Sequence, residues 1–148
     1  MNERVGKLLT IFVVGGLCYG FIEILNRGFT HITMGILGGC SFIVIHILNG
    51  ERRSGKMGLL SILFISGFFI TSIEFLAGEY LNRVLMLNIW SYRDMPLNFD
   101  GQICLPFAFL WVLLSFVGVI VDDFIRFRIF GEERNYEYFE RKNKSAAA

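Results

Sequence analysis

The sequence predicts an all-α membrane protein with four transmembrane helices, and both its composition and the distribution of its apolar residues support this fold class. Of its 148 residues, 54% are hydrophobic and 18% are charged, whereas a soluble domain carries about 25% charged residues. The apolar residues fall in four blocks separated by short charged stretches, and a transmembrane helix needs about 20 predominantly apolar residues. A polytopic membrane protein is therefore predicted, with the lipid bilayer as its surroundings.

The four blocks define the predicted domains. The spans run over residues 8–25, 32–48, 58–76 and 103–121, and the third extends to residue 87 if its helix continues. The first is not a cleavable signal peptide, because Glu-Ile-Leu-Asn-Arg ends it where small residues would mark a cleavage site. Residues 1–121 are thus predicted to form one transmembrane domain. Residues 122–148 mix aromatic and charged side chains and are predicted to be a cytoplasmic tail with an amphipathic surface helix. The last three alanines are interpreted as a cloning remnant.

The basic residues predict the orientation of the spans. Eleven of the fourteen Lys and Arg residues precede span one, lie between spans two and three, or follow span four. Only Arg27, Arg83 and Arg93 fall in the other two connections. Because basic residues concentrate in cytoplasmic loops, both termini are predicted to be cytoplasmic, in a plasma membrane. The formal net charge of +1 argues against a nucleic-acid partner.

A short motif recurs in spans one and three. Glu23 and Glu74 each lie within an Ile-Glu-(Ile/Phe)-Leu run toward the predicted outer end of an odd-numbered helix. Two parallel-repeated helical hairpins would produce this pattern, as in transporters built from parallel repeats. Chance similarity in a chain rich in Ile, Leu and Phe would produce it as well, and the sequence leaves both interpretations open.

The same two glutamates are the clearest polar residues at depth in the membrane. A charged side chain at the centre of a transmembrane helix costs about 2.5 to 3.5 kcal/mol. Glu23 has Arg27 at i+4 as an ion-pair partner, and Glu74 shares one helix face with Asn82. These residues are predicted to line a polar pocket on the outer side that meets a ligand or a proton. The alternative is that both carboxylates are structural and are neutralised by arginine and loop amides.

The connection between spans three and four, residues 88–102, is long for a small protein and rich in aromatic and amide side chains. Trp90 and Tyr92 suit the aromatic belt, while Asn98 and Asp100 favour turns and a cap for span four. The connection is predicted either to fold back as a lid, which is allowed where protein covers its backbone, or to anchor the helix ends at the interface. The candidate ligand-binding residues are Glu23, Arg27, Glu74, Asn82, Trp90, Tyr92, Asn98, Asp100 and Gln102.

No cofactor, metal site or catalytic centre is predicted. His31 and His46 lie at opposite ends of span two, about 22 Å apart along a helix, so they do not bind one metal or haem. The three cysteines form no C-x-x-C pair and are typical of small packing residues. The sequence has no zinc-protease, serine-hydrolase or P-loop motif, so it does not predict an enzyme. An intramembrane enzyme acting on lipid is a distant third hypothesis.

Glycines in the first two spans favour close contact between helices. They are Gly15, Gly16 and Gly20 in span one and Gly35, Gly38 and Gly39 in span two. Such contact forms either within the chain or between subunits. Because four helices barely enclose a pathway, a homo-oligomer or a partner membrane subunit is expected if the protein transports anything.

The connection also resembles a known family. The resemblance rests on Trp90-Ser-Tyr92, on the run from Pro96 through Asn98, Asp100 and Gln102 to Leu105, and on Trp111, with Glu74, Gly78, Asn82 and the pair Glu23 and Arg27. Over most of residues 15–120 the chain is similar to the CmpB-like membrane proteins, described as "putative ABC-transporter type IV". The family's usual aspartate between Trp90 and Tyr92 is Ser91 here. The resemblance implies a permease with an ATP-binding partner subunit, although the one predicted inner loop, residues 49–57, is short for a coupling helix.

Two functional hypotheses follow. The first is a transporter component or small-ligand-binding membrane protein with an outward polar pocket at the candidate residues. The second is a non-transporting accessory or regulatory protein that binds another membrane protein through its glycine-rich faces.

Overall fold

The computed structural model of the protein describes residues 2–134 and residue 138. This part of the chain contains four long helices, α1 (Glu3–Arg27), α2 (Ile32–Arg53), α3 (Leu59–Gly78) and α4 (Leu105–Arg128). A π-helical segment (Glu79–Val84) continues α3, and two short strands, β1 (Asn98–Phe99) and β2 (Ile103–Cys104), precede α4. The strands pair antiparallel, with Asn98 opposite Cys104.

All four helices are long and apolar enough to cross a membrane. The third of these spans consists of α3 and its π-helical end. The predicted fold class, an all-α protein with four spans, is therefore confirmed. The start of α1 and the end of α4 lie at one end of the bundle, here called the terminal end, where Lys7 pairs with Glu132. The α1–α2 turn and residues 85–104, here called the loop, lie at the other end, the loop end.

Helices α1 and α2 form a closely packed hairpin. A Cβ atom added to Gly38 would lie 2.9 Å from the carbonyl oxygen of Gly15, and one added to Gly16 would lie 2.8 Å from that of Gly35. Only glycine permits this approach of two backbones. The hairpin turns at Gly28, whose φ of 78° places it in the left-handed region that glycine adopts at helix ends.

Helix α2 is the central element, since it contacts α1, α3 and α4, and α3 also packs on α4. The principal core cluster includes Ile11, Phe42, Ile45, Ile62, Ile70, Trp111 and Val119. Large apolar side chains also cover the outer surface, for example Leu17, Phe68 and Leu113, which are 69%, 76% and 68% exposed. A surface of this kind fits hydrocarbon rather than water.

The boundary between the bundle and the tail lies later than the sequence indicated. Residues 122–128, which were assigned to the tail, continue α4 to Arg128. They remain helical because Asp122, Asp123 and Arg126 pack against α2 and are buried. Most of the predicted amphipathic surface helix lies outside the described residues.

Candidate functional site

Asn82 fastens the loop to the end of α3. Its side chain accepts a 2.7 Å hydrogen bond from the backbone N–H of Ile89 and donates to the carbonyl oxygen of Trp90 (3.1 Å) and to Oε1 of Gln102 (3.0 Å). Asn82 lies in the π-helical segment, a geometry that occurs frequently at functional sites. The side-chain amide of Asn82 thus takes the place of the backbone hydrogen-bond partners that Ile89 and Trp90 would have if the helix continued.

The loop folds back on the bundle. Trp90 and Gln102 are 7% and 5% exposed, and Nε1 of Trp90 donates a 3.0 Å hydrogen bond to the carbonyl oxygen of Gln102. Gln102 packs against Gly78, where an added Cβ would lie 2.5 Å from Oε1 of Gln102. The missing side chain of Gly78 therefore makes room for the side chain of Gln102 in the loop, and not for the backbone of a neighbouring helix. This arrangement fits the lid interpretation better than a loop that only anchors helix ends.

Asn98 and Asp100 lie at the exposed tip of the loop. Asn98 makes a side-chain turn, donating to the carbonyl oxygens of Arg93 and Met95 and accepting from the N–H of Gly101. Asp100 pairs with Arg83. Neither residue caps α4, because Cys104 is the N-cap residue and makes no side-chain cap. The expected cap is wrong, since the β1–β2 hairpin separates both residues from the helix.

Glu74 is the most deeply buried candidate residue. It is 4% exposed, and its two oxygens accept hydrogen bonds of 2.7 Å from the hydroxyl of Tyr92 and 2.8 Å from Nε1 of Trp111. Burial raises the pKa of the Tyr92 hydroxyl, so this group remains a donor at neutral pH. One carboxylate thus connects α3, α4 and the loop.

Glu23 and Arg27 lie beside this cluster on α1 and form the predicted ion pair. Nη1 of Arg27 also donates a 3.0 Å hydrogen bond to the carbonyl oxygen of Ile89 in the loop. The Nε atom of Arg27 is buried and has no hydrogen-bond partner among the described residues. The pair therefore ties α1 to the loop and leaves one donor unused.

The structure thus brings seven of the nine candidate residues together at the loop end and places Asn98 and Asp100 at its exposed tip. Two aromatic residues in this cluster, Tyr19 and Trp111, were not among the candidate ligand-binding residues, although Trp111 was part of the family motif; their rings lie 5.7 Å apart. Both sit in apolar runs that resemble ordinary core. The position of Tyr19 four residues before Glu23, on the same helix face, was the available signal.

A second polar cluster, at the terminal end, was not predicted. Nδ1 of His46 lies 2.5 Å from Oδ1 of Asp122, and Oδ2 of Asp122 accepts hydrogen bonds from Asn49 (2.8 Å) and Arg126 (2.7 Å). Asp122 and Asn49 are fully buried. The cluster joins α2 to α4. The sequence did hold a signal for this cluster. Its polar residues recur three or four positions apart on each helix, as His46 and Asn49 do on α2 and Asp122 and Arg126 do on α4.

Asp123 extends this cluster toward the α2–α3 turn. It accepts hydrogen bonds from Arg52 (2.6 Å), Arg53 (2.9 Å) and Asn49 (3.0 Å). Each carboxylate is thus matched by at least one cation, as buried charges require. The described side chains of this arrangement thus form one hydrogen-bonded network between α2 and α4.

The histidines have local partners. His31 caps the N-terminus of α2 by accepting from the N–H of Thr33, and His46 belongs to the terminal cluster. Among the described residues, no group of three or more His, Cys, Asp or Glu side chains is arranged to hold a metal ion.

Two apolar grooves lie beside α1. The first has a volume of about 300 Å³ and lies between α1 and α4, with Tyr19 and Trp111 in its lining and α2 beneath it. The second, of about 590 Å³, lies between α1 and α2 and is bordered by Gly16, Gly20 and Gly35.

The fold and the loop-end site define a multi-pass α-helical membrane protein with a folded-back loop over a buried carboxylate. The model of a family described as "Putative ABC-transporter type IV" matches residues 9–133. The chain belongs to this CmpB-type family, which confirms the resemblance seen in the sequence. No curated protein and no solved structure matches the chain.

Proposed function

We propose that the protein is a transporter component that binds a small ligand at its loop end, beneath the loop. The observation that carries this proposal is the Glu74 carboxylate, buried among apolar helices and held by Tyr92 and Trp111. An ionisable residue kept at this depth is costly and is a functional candidate by default. The family description supports a role connected with transport.

The loop supplies a means of access to the Glu74 carboxylate. Its polar contacts with the helices include three hydrogen bonds to Asn82 and one each to Glu74 and Arg27. Lifting the loop would expose the Glu74 carboxylate and free the hydroxyl of Tyr92. A ligand that offers a donor to Glu74 would replace Tyr92, so ligand binding and loop opening would be coupled.

The predicted orientation places this site on the outer side of a plasma membrane, with both termini in the cytoplasm. The protein is proposed to act as a homo-oligomer or with a partner membrane subunit, and the family description favours an ATP-binding subunit. No enzymatic activity is proposed.

The test is affinity purification from native membranes, with mass spectrometry of the proteins and small molecules that co-purify. Wild type, Glu74→Gln and Tyr92→Phe are compared with Ser72→Ala, a change at a half-buried position of α3. A small molecule retained by wild type and Ser72→Ala and lost from the other two folded variants supports the proposal. Equal retention by all four variants overturns it. Stoichiometric recovery of an ATP-binding protein supports the permease form of the proposal.

The second candidate is an accessory protein that binds another membrane protein, and the groove bordered by Gly16, Gly20 and Gly35 favours it. Gly38 and Gly39 do not favour this role, because side chains of α1 already pack against them, Tyr19 against Gly38 and Phe12 against Gly39. Bulky substitution at Gly20 separates the two candidates. Loss of a co-purifying membrane protein with unchanged ligand retention would favour the accessory role.

A further inference from the structure

Glu74 is a buried carboxylate that has no cation paired with it. Its two oxygens accept hydrogen bonds from the neutral side chains of Tyr92 and Trp111. Among the described residues, no Lys, Arg or His side chain lies within ion-pair distance of Glu74. Arg27 forms its ion pair with Glu23 instead. Because a buried charge is costly unless an opposite charge lies close to it, the Glu74 carboxylate is suited to a cationic ligand.

The charged side chains around this site are predominantly acidic. Residues 23–27 and 74–104 contain five acidic residues and three arginines. The acidic residues are Glu23, Glu74, Glu79, Asp94 and Asp100, and the arginines are Arg27, Arg83 and Arg93. Both Arg27 and Arg83 are already paired with carboxylates. The loop end of the bundle therefore attracts a cation and repels an anion.

A chain of four aromatic rings lies beside the same carboxylate. The ring of Phe107 lies 4.8 Å from the ring of Tyr92 and 6.2 Å from that of Trp111. The ring of Tyr19 lies 5.7 Å from that of Trp111. Aromatic ring faces attract organic cations, most strongly where water is excluded, whereas a hard metal ion needs several oxygen ligands. A lone carboxylate among rings is therefore suited to an ammonium group.

Tyr92 shows the shape that such a ligand would need. Its hydroxyl donates to Glu74 while its ring packs on Phe107, and the residue is only partly buried. A ligand that takes the place of Tyr92 when the loop lifts must supply a flat apolar body for Phe107 and a donor for Glu74. A protonated amine competes well with the tyrosine hydroxyl, because hydrogen bonds between charged groups are roughly twice as strong as neutral ones.

We propose that the ligand bound beneath the loop is a protonated amine with an aromatic or other flat apolar body. Its ammonium group donates to Glu74 in place of the Tyr92 hydroxyl and lies beside the rings of Phe107 and Trp111. Its apolar body takes the position of the Tyr92 ring. This inference rests on the proposed function, since it names the chemical class of the ligand for the same site.

The test is isothermal titration calorimetry of the full-length protein in detergent with benzylamine, which is protonated at pH 7, and with benzyl alcohol, its neutral counterpart. Wild type should bind benzylamine more tightly than benzyl alcohol by about tenfold or more. Glu74→Gln should remove most of this preference, because its side chain carries no charge. Absence of benzylamine binding to wild type, or equal affinity of wild type for the two compounds, overturns the proposal.

Phe107→Leu tests the aromatic rings without removing a hydrogen bond of Glu74, and it also serves if Glu74→Gln does not fold. It should lower the ratio of amine affinity to alcohol affinity by about threefold or more. Phe109→Leu is the matched control, since it makes the same change on α4 at a side chain that is 59% exposed. Its affinity ratio should equal that of wild type. The same ratio in both phenylalanine variants overturns the proposal.

The amine proposal and the proposed function fail separately. Equal retention of the co-purifying small molecule by wild type and the Glu74, Tyr92 and Ser72 variants overturns the binding role of Glu74. A small molecule that is lost from Glu74→Gln but is an acid or carries no charge supports that binding role and overturns the amine proposal.

Discussion

Trp111 donates a 2.8 Å hydrogen bond from its indole nitrogen to Oε2 of Glu74, across the interface between α4 and α3. The other oxygen of Glu74 accepts from Tyr92 of the loop. A single carboxylate therefore holds three segments together in an interior that offers few other polar partners. Because unsatisfied buried polar groups are costly, this residue couples the stability of the bundle to the position of the loop.

Glu74→Gln tests that coupling. Glutamine keeps the size of the side chain but presents an NH₂ group to one of the two donors, so one of these hydrogen bonds is lost. We expect the free energy of unfolding in detergent to fall by about 1–3 kcal/mol, measured by thermal or denaturant unfolding. Ser72→Ala on the same helix, where the half-buried hydroxyl donates to the carbonyl oxygen of Phe68, should change it far less. Equal stability of the two variants would show that Glu74 does not organise the loop.

Gly78→Ala should lift the loop. The added Cβ would meet both Oε1 (2.5 Å) and Cβ (3.0 Å) of Gln102, and overpacking of this kind costs about 1–3 kcal/mol. Cys104, the last residue of the loop, is only 3% exposed, so its reaction rate with a small thiol reagent reports opening. We expect labelling to accelerate about tenfold, which corresponds to 1.4 kcal/mol.

Gly58→Ala is the matched control for this measurement, since a Cβ there meets no atom within 4 Å. Its Cys104 should label at the wild-type rate. Slow labelling in Gly78→Ala would mean that Gln102 moves aside while the loop stays closed.

Asp122→Asn should be the most destabilising conservative change at the terminal end. It leaves Arg126 and His46 in a buried site without their carboxylate, and breaking a buried ion pair costs about 3–5 kcal/mol. Glu51→Gln removes an exposed pair with Lys56 and should cost less than about 1 kcal/mol. Unfolding of both variants in the same detergent checks the difference, and a similar small loss in both would contradict the structural role of the cluster.

The spans and the Glu23–Arg27 pair were predictable because each depends on local sequence. A membrane span is recognised from the hydropathy of about 20 consecutive residues. An ion pair between residues i and i+4 requires only that the segment between them is helical. The Glu74–Trp111 and His46–Asp122 contacts join residues 37 and 76 positions apart. They depend on how each helix is rotated about its axis, which a nearly uniform apolar block does not reveal. For the same reason Trp111 and Tyr19 resembled core residues.

Gly38 and Gly20 offer the same substitution in two environments on the α1–α2 hairpin. A Cβ on Gly38 would lie 2.9 Å from the carbonyl oxygen of Gly15, whereas one on Gly20 meets Thr30 at an ordinary 3.7 Å. Gly38→Ala should therefore lower the unfolding free energy by about 1–3 kcal/mol. Gly20→Ala should be neutral or stabilising by up to about 1 kcal/mol, because alanine favours helix more than glycine does. Equal effects in thermal unfolding would mean that the hairpin is not closely packed.

The predicted orientation of the bundle rests on the distribution of basic residues and is tested in whole cells. Ser91 in the loop and Lys56 in the α2–α3 turn are both exposed and lie at opposite ends of the bundle. A membrane-impermeant maleimide should label Ser91→Cys in intact cells, and Lys56→Cys only after the membrane is permeabilised. Cys18 and Cys40 lie within α1 and α2, so the parent protein measures the background. Labelling of Lys56→Cys in intact cells would reverse the topology, and the loop-end site would then face the cytoplasm.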